Sequence, residues 1–357
     1  MSPFAIHAMD IRKAFGSSRA VAGATLQVKQ GELVALLGPS GSGKTTLLRV
    51  IAGFEVPDTG TVWIGGRQVA GEGVWEEPDR RRIGMVFQDG ALFPHLTIAG
   101  NLAFAGPRPG RAQECLELVG LASRAASYPH ELSGGERQRI ALARALAADP
   151  EVVLLDEPFA ALDEGLRVSL REEVAAILRT AGASALLVTH NQQEALSLAD
   201  VVAVMRDGRI EQVGPPEEVY GRPATRWVAE FLGDADVVPG TAVEGVADCE
   251  LGRFPVDRAL NGMVEIIVRP EGVAIGVNGA DGTDAAAGGA NHAAEARVVG
   301  RSYFGHDQLV QLELASGLRL RSRLPGSTPW HPGDLVHVRV TGPVTVLGLE
   351  RPEHPVP

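Results

Sequence analysis

The stretch Gly38-Pro39-Ser40-Gly41-Ser42-Gly43-Lys44-Thr45 decides the fold of the first part of this chain. It fits the phosphate-loop pattern, in which a glycine and four further residues precede Gly-Lys-Ser/Thr. Its glycines let the backbone curl until successive N–H groups point at one phosphate. Lys44 can then reach the β- and γ-phosphates of a nucleotide, and the Thr45 hydroxyl can ligate Mg²⁺. The residues predicted to hold the phosphates are Gly38, Pro39, Ser40, Gly41, Ser42, Gly43, Lys44, Thr45 and Thr46.

The residues on either side of this loop favour a bound anion. Glu32–Leu37 is mostly apolar and predicts a buried strand that enters the loop. Thr46–Ala52 has the pattern of a helix that leaves it, and the N-terminus of a helix attracts negative charge. A glycine turn between a strand and a helix, without any ligand, is the alternative at this point.

The composition is that of a globular chain long enough for two domains. Of the 357 residues, 45% are hydrophobic, which is enough for packed cores. The formal net charge of −11 argues against a general nucleic-acid-binding protein, which normally carries a basic face. Cys115 and Cys249 are far apart, and we expect two unpaired thiols in a reducing compartment. We find no signal-peptide pattern and no membrane-spanning run, so we expect any membrane role to come through a partner.

Two sequence patterns divide the chain. From Phe4 to about Leu232, short apolar strands alternate with helical patterns and glycine turns, which predicts a mostly parallel α/β sheet. From Val237 onward, short strand-like runs alternate with Gly and Pro, which predicts a small all-β barrel or sandwich. We therefore predict one domain at 1–235 and a second at 236–357. Residues 276–294, rich in Gly, Ala, Asn and Asp, are predicted to form a mobile loop.

A second strand ends in two carboxylates. Glu151–Glu157 is an apolar run that closes with Asp156 and Glu157, and the carboxyl ends of such strands are the usual ligand edge of a parallel sheet. We expect Asp156 to hold Mg²⁺, directly or through water. We expect Glu157 to act as the general base on the attacking water. A solvated acidic strand end without a catalytic role is the alternative.

A glycine pair precedes another predicted helix. Leu132-Ser133-Gly134-Gly135-Glu136-Arg137-Gln138 comes directly before a helical pattern at Arg139–Ala147, and such a terminus can offer backbone N–H groups and the Ser133 hydroxyl to a phosphate. The segment resembles the signature motif of ATP-binding-cassette (ABC) ATPases, usually written Leu-Ser-Gly-Gly-Gln. Because Glu136 replaces the usual Gln, we predict that it folds back in a capping box with Ser133. Ser133 and Gly135 remain as nucleotide contacts, and a capped helix without a ligand is the alternative.

The resemblance extends to the other motifs of the family, which follow in order. Gln88, after the predicted strand Ile83–Phe87, matches the glutamine that touches Mg²⁺ and the attacking water. His190, after Ala185–Thr189, matches the switch histidine that contacts the γ-phosphate. Ala161-Leu162-Asp163 matches the loop that contacts the facing subunit and its nucleotide. Taken singly, Gln88 or His190 would more often be a structural polar residue at a strand end.

Phe15 lies where the family places an aromatic ring against adenine. Tyr is commoner there, but stacking needs only the face of the ring, so we expect Phe15 to serve, with a packing role as the alternative. The resemblance covers about residues 4–232 and implies an α/β P-loop NTPase fold. This fold is the ABC cassette with a helical subdomain at about 89–150, followed here by a small all-β, OB-like domain of the TOBE type.

The resemblance also implies partners. Two copies would close head to tail on two ATP molecules with Mg²⁺, the signature of each copy covering the phosphate loop of the other. The segment Gln88–Ile98 resembles the one through which importer ATPases hold a membrane permease, with Leu92, Phe93 and Leu96 as an apolar patch. Packing of these side chains inside the helical subdomain is the alternative. We expect the chain at the cytoplasmic face of the membrane, with an extracytoplasmic substrate-binding protein as an indirect partner and no nucleic acid.

The β-rich part resembles the regulatory domain of importer ATPases of the maltose, polyamine and ferric-iron groups. The runs Gly233–Gly240, Val268–Gly272, Ser302–Gln308 and Trp330–Asp334 are most similar to the ferric-iron group. The main hypothesis is therefore the ATPase of a ferric-iron importer, with polyamine, sugar or another small solute as the alternative cargo. A soluble ABC ATPase acting on nucleic acid or ribosomes would normally carry two cassettes or long coiled coils. A non-catalytic regulatory cassette would lack Glu157 or His190.

Overall fold

The computed structural model describes residues 2–160, 164–256, 260–276 and 293–349. The chain divides into two compact units, Met1–Val219 and Tyr220–Pro357. We call them the cassette unit and the β unit. Asp163, with Ala161 and Leu162, lies outside the described residues, as do residues 277–292 of the predicted loop.

The cassette unit contains strands and helices in alternation. Its strands are β1 (Phe4–Phe15), β2 (Ser18–Lys29), β3 (Leu33–Leu37), β4 (Thr59–Ile64), β5 (Arg67–Gly71), β6 (Val74–Trp75), β7 (Ile83–Val86), β8 (Val152–Asp156), β9 (Ala185–Thr189), β10 (Val201–Arg206) and β11 (Arg209–Gly214). Its α-helices are α1 (Lys44–Ala52), α2 (Ile98–Ala103), α3 (Arg111–Leu118), α4 (Gly134–Ala147), α5 (Glu164–Thr180), α6 (Gln192–Leu198) and α7 (Pro216–Gly221), the last of which runs across the division. Short 3₁₀ turns lie at Pro78–Arg80, Ala122–Arg124 and Pro129–Glu131.

The central sheet of the cassette unit has the strand order β11-β10-β3-β9-β8-β7. All neighbouring pairs from β10 to β7 are parallel, and β11 alone is antiparallel to its neighbour. Side chains of a strand alternate between the two faces, so Val153 and Leu155 enter one apolar core while Val152 and Leu154 enter the other. This burial on both faces explains the unbroken apolar runs seen in the sequence. The predicted strands 32–37, 83–87, 151–157 and 185–189 are confirmed to within two residues.

A second sheet in the cassette unit is antiparallel, with the order β2-β1-β4-β5-β6. From the sequence alone, these strands were not distinguished from those of the parallel sheet. β1 and β2 pair along nearly their whole length, from Phe4 opposite Lys29 to Phe15 opposite Ser18. From Ala24 to Lys29, β2 alternates between buried and exposed residues, as a sheet with one solvated face requires, whereas register shifts interrupt the alternation in β1.

Between β7 and β8 the described chain forms helices only, including α2, α3 and α4. α4 begins at Gly134, five residues earlier than the helix predicted from the pattern at Arg139–Ala147. The difference has a local cause, because Ser133 caps the helix and the glycine pair forms its first turn instead of preceding it. The signature residues therefore lie at a true helix N-terminus.

The β unit opens with α8 (Arg226–Leu232) and continues as strands around one apolar core. Its strands are β12 (Asp236–Val243), β13 (Val246–Cys249), β14 (Gly252–Pro255), β15 (Gly262–Val268), β16 (Val273–Gly276), β17 (Ala294–Tyr303), β18 (Asp307–Leu314), β19 (Arg319–Pro325), β20 (Leu335–Val340) and β21 (Thr345–Gly348). They form two five-stranded antiparallel sheets, ordered β14-β13-β12-β15-β21 and β16-β20-β17-β18-β19. The predicted all-β domain is confirmed, and beyond α8 its described residues contain a 3₁₀ turn at Pro270–Gly272 as their one helical element.

The structure bears on the predictions about the two cysteines and about membrane-spanning segments. Cys115 is buried, Cys249 is half-buried, and both are free thiols whose pKa is raised by burial. Among the helices in the described ranges, none is long and apolar enough to cross a bilayer.

α8 belongs to the β unit, whereas the sequence division after residue 235 would assign it to the first domain; that division stays a prediction.

Candidate nucleotide-binding site

The phosphate loop joins β3 to α1, and its shape depends on glycine at two positions. A Cβ at Gly43 would lie 2.1 Å from the Ala20 carbonyl oxygen, and its φ of +101° is left-handed. A Cβ at Gly38 would lie 2.3 Å from the Met205 carbonyl oxygen. Both contacts are impossible for a side chain, so the loop can approach its neighbours only because these residues are glycine.

The interior of the loop holds a buried cation and an unpartnered hydroxyl. The Lys44 ammonium donates to the carbonyl oxygens of Gly38 at 2.8 Å and Pro39 at 2.9 Å. An ammonium has three donors, so one remains for a phosphate oxygen. The Ser42 hydroxyl is buried and has no hydrogen-bond partner among the described residues. Burial lowers the pKa of Lys44, although Glu157 and Asp156 raise it. The fold therefore does not fully compensate the free-energy cost of burying this charge, and a bound anion would offset the remainder.

The first turn of α1 completes an anion site. No side chain caps this helix at Gly43, and its first turn contains no acidic residue. Thr45 is exposed and Thr46 half-buried at that end. The free backbone N–H groups and the positive end of the helix dipole therefore face the loop, as a phosphate requires.

Strand order explains why distant motifs meet at this edge. β9 lies between β3 and β8, and β7 lies beside β8. Because these strands are parallel, their carboxyl ends share one edge of the sheet. The residues that follow or end these strands are the phosphate loop, His190, Asp156 with Glu157, and Gln88.

The acidic pair at the end of β8 is electrostatically strained. Burial raises the pKa of Asp156, the neighbouring carboxylate of Glu157 raises it further, and Arg49 and Lys44 lower it. Glu157 takes the left-handed φ of 45°, uncommon for a non-glycine residue, while its N–H donates to the Val188 carbonyl oxygen at 3.0 Å. Carboxylate and hydroxyl oxygens are the ligands that Mg²⁺ prefers, so Asp156 and Thr45 fit a magnesium ion.

His190 contacts the second carboxylate directly. Its Nδ1 lies 3.1 Å from Oε2 of Glu157, and the two side chains are 53% and 24% exposed. This direct contact leaves no room for a water between the two groups, so an attacking water would lie beside the pair, within reach of the Glu157 carboxylate. The pairing of His190 with Glu157 was not predicted from the sequence, because the order of the motifs says nothing about contact between neighbouring strand ends.

Gln88 begins a segment that two residues hold in place. Gln88 itself is exposed. The buried side chain of Asn101 accepts from the Phe93 N–H at 2.8 Å and donates to the carbonyl oxygens of Phe93, Leu96 and Thr97 at 3.1 to 3.2 Å. Arg144 donates to the carbonyl oxygens of Ala91 and Gly90 at 2.7 and 3.1 Å. Asn101 was not predicted from the sequence, although a polar residue within the mostly apolar run Ile98–Ala103 was the available signal.

The apolar side chains of this segment are half-buried. The Phe93 ring packs against Phe104, with 4.5 Å between centroids, and the Arg144 guanidinium lies 5.6 Å from the centroid of Phe93. Leu92 packs against the apolar core that the helices share with one face of the central sheet. Phe104 is 69% exposed and extends the apolar surface beside Phe93.

The signature segment adopts the capping box that the sequence predicts. The Glu136 carboxylate accepts from the Ser133 N–H at 2.9 Å, and the Ser133 hydroxyl accepts from the Glu136 N–H at 3.2 Å. The backbone hydrogen bond from Ser133 lowers the pKa of Glu136. The carboxylate is thus occupied by its own helix. Within the described part of the chain, no hydrogen bond or ion pair joins Ser133 or Gly135 to the strand ends that carry the other motifs.

Phe15 ends β1 with its ring 49% exposed. The Lys13 ammonium lies 5.2 Å from the ring centroid and also 3.5 Å from the Asp58 carboxylate. Asp58 in turn accepts from the Ala14 N–H at 2.7 Å. The strand end is therefore fixed, and the ring keeps surface available for stacking.

Comparison with known proteins agrees with this geometry. A sequence profile described as "ABC transporter" matches residues 21–160, and one described as "TOBE domain" matches 266–347. The protein "Fe(3+) ions import ATP-binding protein FbpC 2" of Rhodococcus jostii is 44% identical over 97% of this chain and 99% of its own length. The chain belongs to the family of ABC transporter ATP-binding proteins. It is accordingly an ABC-type transport ATPase that binds ATP.

Other relatives and solved structures of ABC ATP-binding proteins support the same fold. Fe(3+) ions import ATP-binding protein FbpC of Pseudomonas fluorescens is 44% identical over 98% of this chain and 99% of its own length. The namesake from Mesorhizobium japonicum is 50% identical over 74% of this chain and 76% of its own. Among solved structures, cbiO1 from Clostridium perfringens, part of the ABC transporter complex cbiONQ, gives a TM-score of 0.55 at 25% identity, over 61% of this chain and 91% of its own.

Proposed function

We propose that this ABC ATPase drives the import of ferric iron. The observation that carries the proposal is the similarity to Fe(3+) import ATP-binding proteins over nearly the full length, the β unit included. The cassette unit alone would identify only an ATP-hydrolysing subunit, because its motifs bind nucleotide and do not bind the transported substrate. The β unit is the part in which the sequence pattern already favoured the ferric-iron group.

The residues of one site divide the work of hydrolysis. Lys44 and the N–H groups of the phosphate loop hold the β- and γ-phosphates, and Phe15 stacks on adenine. Glu157 polarises the attacking water as general base, His190 orients the γ-phosphate, and Gln88 positions the water. The contact of 3.1 Å between His190 and Glu157 supports this arrangement.

Thr45, Gln88 and Asp156 would hold the magnesium ion, which when bound neutralises charge on the phosphate oxygens. The raised pKa of Asp156, caused by burial and by Glu157, supports this role, since a cation would stabilise that carboxylate.

The site is completed by a second copy of the chain. Ser133 is exposed at the N-terminus of α4 and its helix is already capped, so Ser133 and Gly135 can face a γ-phosphate held by another subunit. We propose that Asp163 contributes at the same interface. Two ATP molecules would then join two copies head to tail, and hydrolysis would release them.

Closing and opening of the dimer would be transmitted to a membrane permease at the cytoplasmic face of the membrane. The segment Gln88–Ile98 follows the water-positioning glutamine, and Asn101 and Arg144 hold its backbone. Its half-buried Phe93, next to the exposed Phe104, offers an apolar surface to a permease segment. An extracytoplasmic binding protein would deliver the cargo on the other side.

Turnover of the assembled transporter tests the cargo. The chain is purified with its permease, and ATP hydrolysis is measured with the binding protein empty, loaded with Fe³⁺, or loaded with a polyamine or a sugar. We expect stimulation by the Fe³⁺-loaded protein alone. Stimulation by an organic solute would keep the import mechanism and remove the iron assignment. ATPase activity without any permease effect would favour a soluble, non-transport ABC ATPase.

A further inference from the structure

A buried ion pair lies behind the histidine of the candidate site. Arg171 of α5 donates from Nη2 to Oε1 of Glu194 in α6 at 3.1 Å. The two side chains are 7% and 6% exposed, which is rare for charged residues. None of the motifs includes this pair, and neither residue was predicted from the sequence to have a role.

The second oxygen of Glu194 continues the network toward the strand end. The Thr189 hydroxyl donates to Oε2 of Glu194 at 2.5 Å. The same hydroxyl accepts from the Asn191 N–H at 3.0 Å. Asn191 caps α6, its side chain accepting from the Glu194 N–H at 3.2 Å. The residues immediately before and after His190 are thereby tied to Glu194, Thr189 to its carboxylate and Asn191 to its backbone N–H.

His190 itself extends from this fixed turn toward the reacting groups. Thr189 is 1% exposed at the end of β9, whereas the side chain of His190 is 53% exposed. Its imidazole Nδ1 lies 3.1 Å from Oε2 of Glu157. One continuous chain of contacts therefore runs from the ion pair through Thr189 and the histidine to the proposed general base.

We propose that Arg171 and Glu194 are positioning residues, which act through the Thr189 hydroxyl to hold His190 at the γ-phosphate. This inference rests on the proposed role of His190. Neither side chain reaches the nucleotide. Small displacements of a catalytic group are costly, because reaction depends on aligned contacts. A buried charge pair resists displacement, since moving either partner leaves the other charge unpaired in the interior.

Two substitutions at Thr189 separate positioning from packing. Thr189→Val keeps the shape and removes the hydroxyl, whereas Thr189→Ser keeps the hydroxyl and removes a methyl group. We expect Thr189→Val to lower kcat for ATP by about 10- to 100-fold with KM unchanged, and Thr189→Ser to stay near wild type. Equal losses in both variants, or wild-type kcat in Thr189→Val, would overturn the proposal.

A spectroscopic signature gives a readout that packing alone would not move. The ¹⁵N imidazole signals of His190 are assigned from their loss in His190→Ala. We expect Thr189→Val to shift the Nδ1 signal of His190 and to leave the other histidines unchanged, because its contact with Glu157 is released. A lowered kcat with an unchanged His190 signal would contradict positioning.

The ion pair is tested without leaving a buried charge. The double variant Arg171→Met with Glu194→Met replaces both charges by apolar side chains of similar length, which buried pairs often tolerate. We expect a melting temperature near that of the wild type and a kcat lowered as in Thr189→Val. Wild-type kcat in the double variant would overturn the role of the pair. If His190→Ala itself keeps wild-type kcat, the proposed role of His190 fails instead, and that outcome is distinct from the others.

Discussion

Buried charged side chains occur in both units of this chain, but their neighbours differ. In the cassette unit, Lys44 is 4% exposed, and the pKa of both Lys44 and Asp156 is displaced by burial toward the neutral form. In the β unit, Arg269 donates to the carbonyl oxygens of Ala229, Gly233, Asp234 and Tyr220 at 2.9 to 3.3 Å. Its guanidinium also lies 4.1 Å from the centroid of the Tyr220 ring.

The acids of the two units repeat this contrast. Asp236 accepts from the backbone N–H of Arg321 at 2.6 Å and from its Nε at 2.8 Å. Asp156 has a second carboxylate as its neighbour instead. Burial also displaces the pKa of Arg269 and Asp236 toward the neutral form, but both groups have partners within the β unit. The buried pair Arg171–Glu194 of the cassette unit is satisfied in the same way. The charged groups of the candidate site differ, because they leave part of the cost of burial for a ligand to offset. Burial of charge alone therefore does not mark a site, and the identity of the partner decides.

The largest effect is expected from the proposed general base. Glu157→Gln should lower kcat by about 100- to 10,000-fold, because the amide cannot accept the proton of the attacking water. ATP binding should persist, so light scattering should show a dimer trapped with ATP. Phosphate release measures the loss, and the exposed Glu211→Gln in β11 is the control. Normal hydrolysis by Glu157→Gln would remove this residue from the chemistry.

Closure of the dimer should fail when the signature is obstructed. Ser133→Arg places a bulky side chain where a second subunit is expected, so dimerisation with ATP should be lost while the monomer still binds nucleotide. Fluorescent-nucleotide titration and light scattering measure the two properties. Ser123→Arg, on an exposed 3₁₀ turn, is the matched control. Loss of nucleotide binding by the Ser133→Arg monomer would argue against an arrangement in trans.

The β unit should respond in stability and not in nucleotide binding. Arg269→Met leaves four carbonyl oxygens without their donor, so we expect the free energy of unfolding of this unit to fall by about 3 kcal/mol. Chemical denaturation followed by tryptophan fluorescence measures the change, with the exposed Arg339→Met as control. A weakened affinity for ATP in Arg269→Met would break the contrast between the units.

The cost of the acidic pair predicts a pH dependence. Because the pKa of Asp156 is raised in the folded state, its ionised form costs stability above that pKa, and the cost vanishes as pH falls below the unfolded value of about 3.9. Asp156→Asn should therefore raise the melting temperature at neutral pH, with a difference that shrinks in acid. The exposed Asp207→Asn is the control. A destabilising effect at neutral pH would show that this carboxylate is already satisfied.

The smallest effect is expected from truncation. Removal of residues 236–357 should leave ATP affinity unchanged, since every predicted nucleotide contact precedes that point. A second truncation, after Val219, also removes α8. This helix belongs to the β unit, where Arg269 donates to its Ala229 carbonyl oxygen. Loss of ATP binding in both truncations would contradict two separable units. Loss of ATP binding only in the chain that ends at Val219 would favour a domain division after residue 235.

Much of the fold was predictable where a pattern is local. The strand into the phosphate loop, the helix out of it and the capping box at Ser133 each depend on residues within one turn or one strand of each other. The antiparallel sheet was not separated from the parallel one, because β1 also pairs with β4, as in Ile6 opposite Ile64, and such long-range pairing leaves no local pattern. The two-residue connection Gly16-Ser17 between β1 and β2 was the available local signal of a hairpin. The role of Asn101 was not predicted, because its hydrogen-bond partners are backbone groups, which a pattern of side chains does not reveal.

The sequence by itself determined a phosphate-binding loop, since that motif requires given residue types at given spacings. The resemblance of the companion motifs to those of ABC ATPases then predicted that the chain hydrolyses a nucleotide. Only the tertiary structure decided that His190 contacts Glu157 and that Arg171 and Glu194 lie behind it. The physical reason is that strand order in a parallel sheet does not follow chain order. Packing of side chains from distant segments selects the neighbours, and spacing along the chain does not encode that choice.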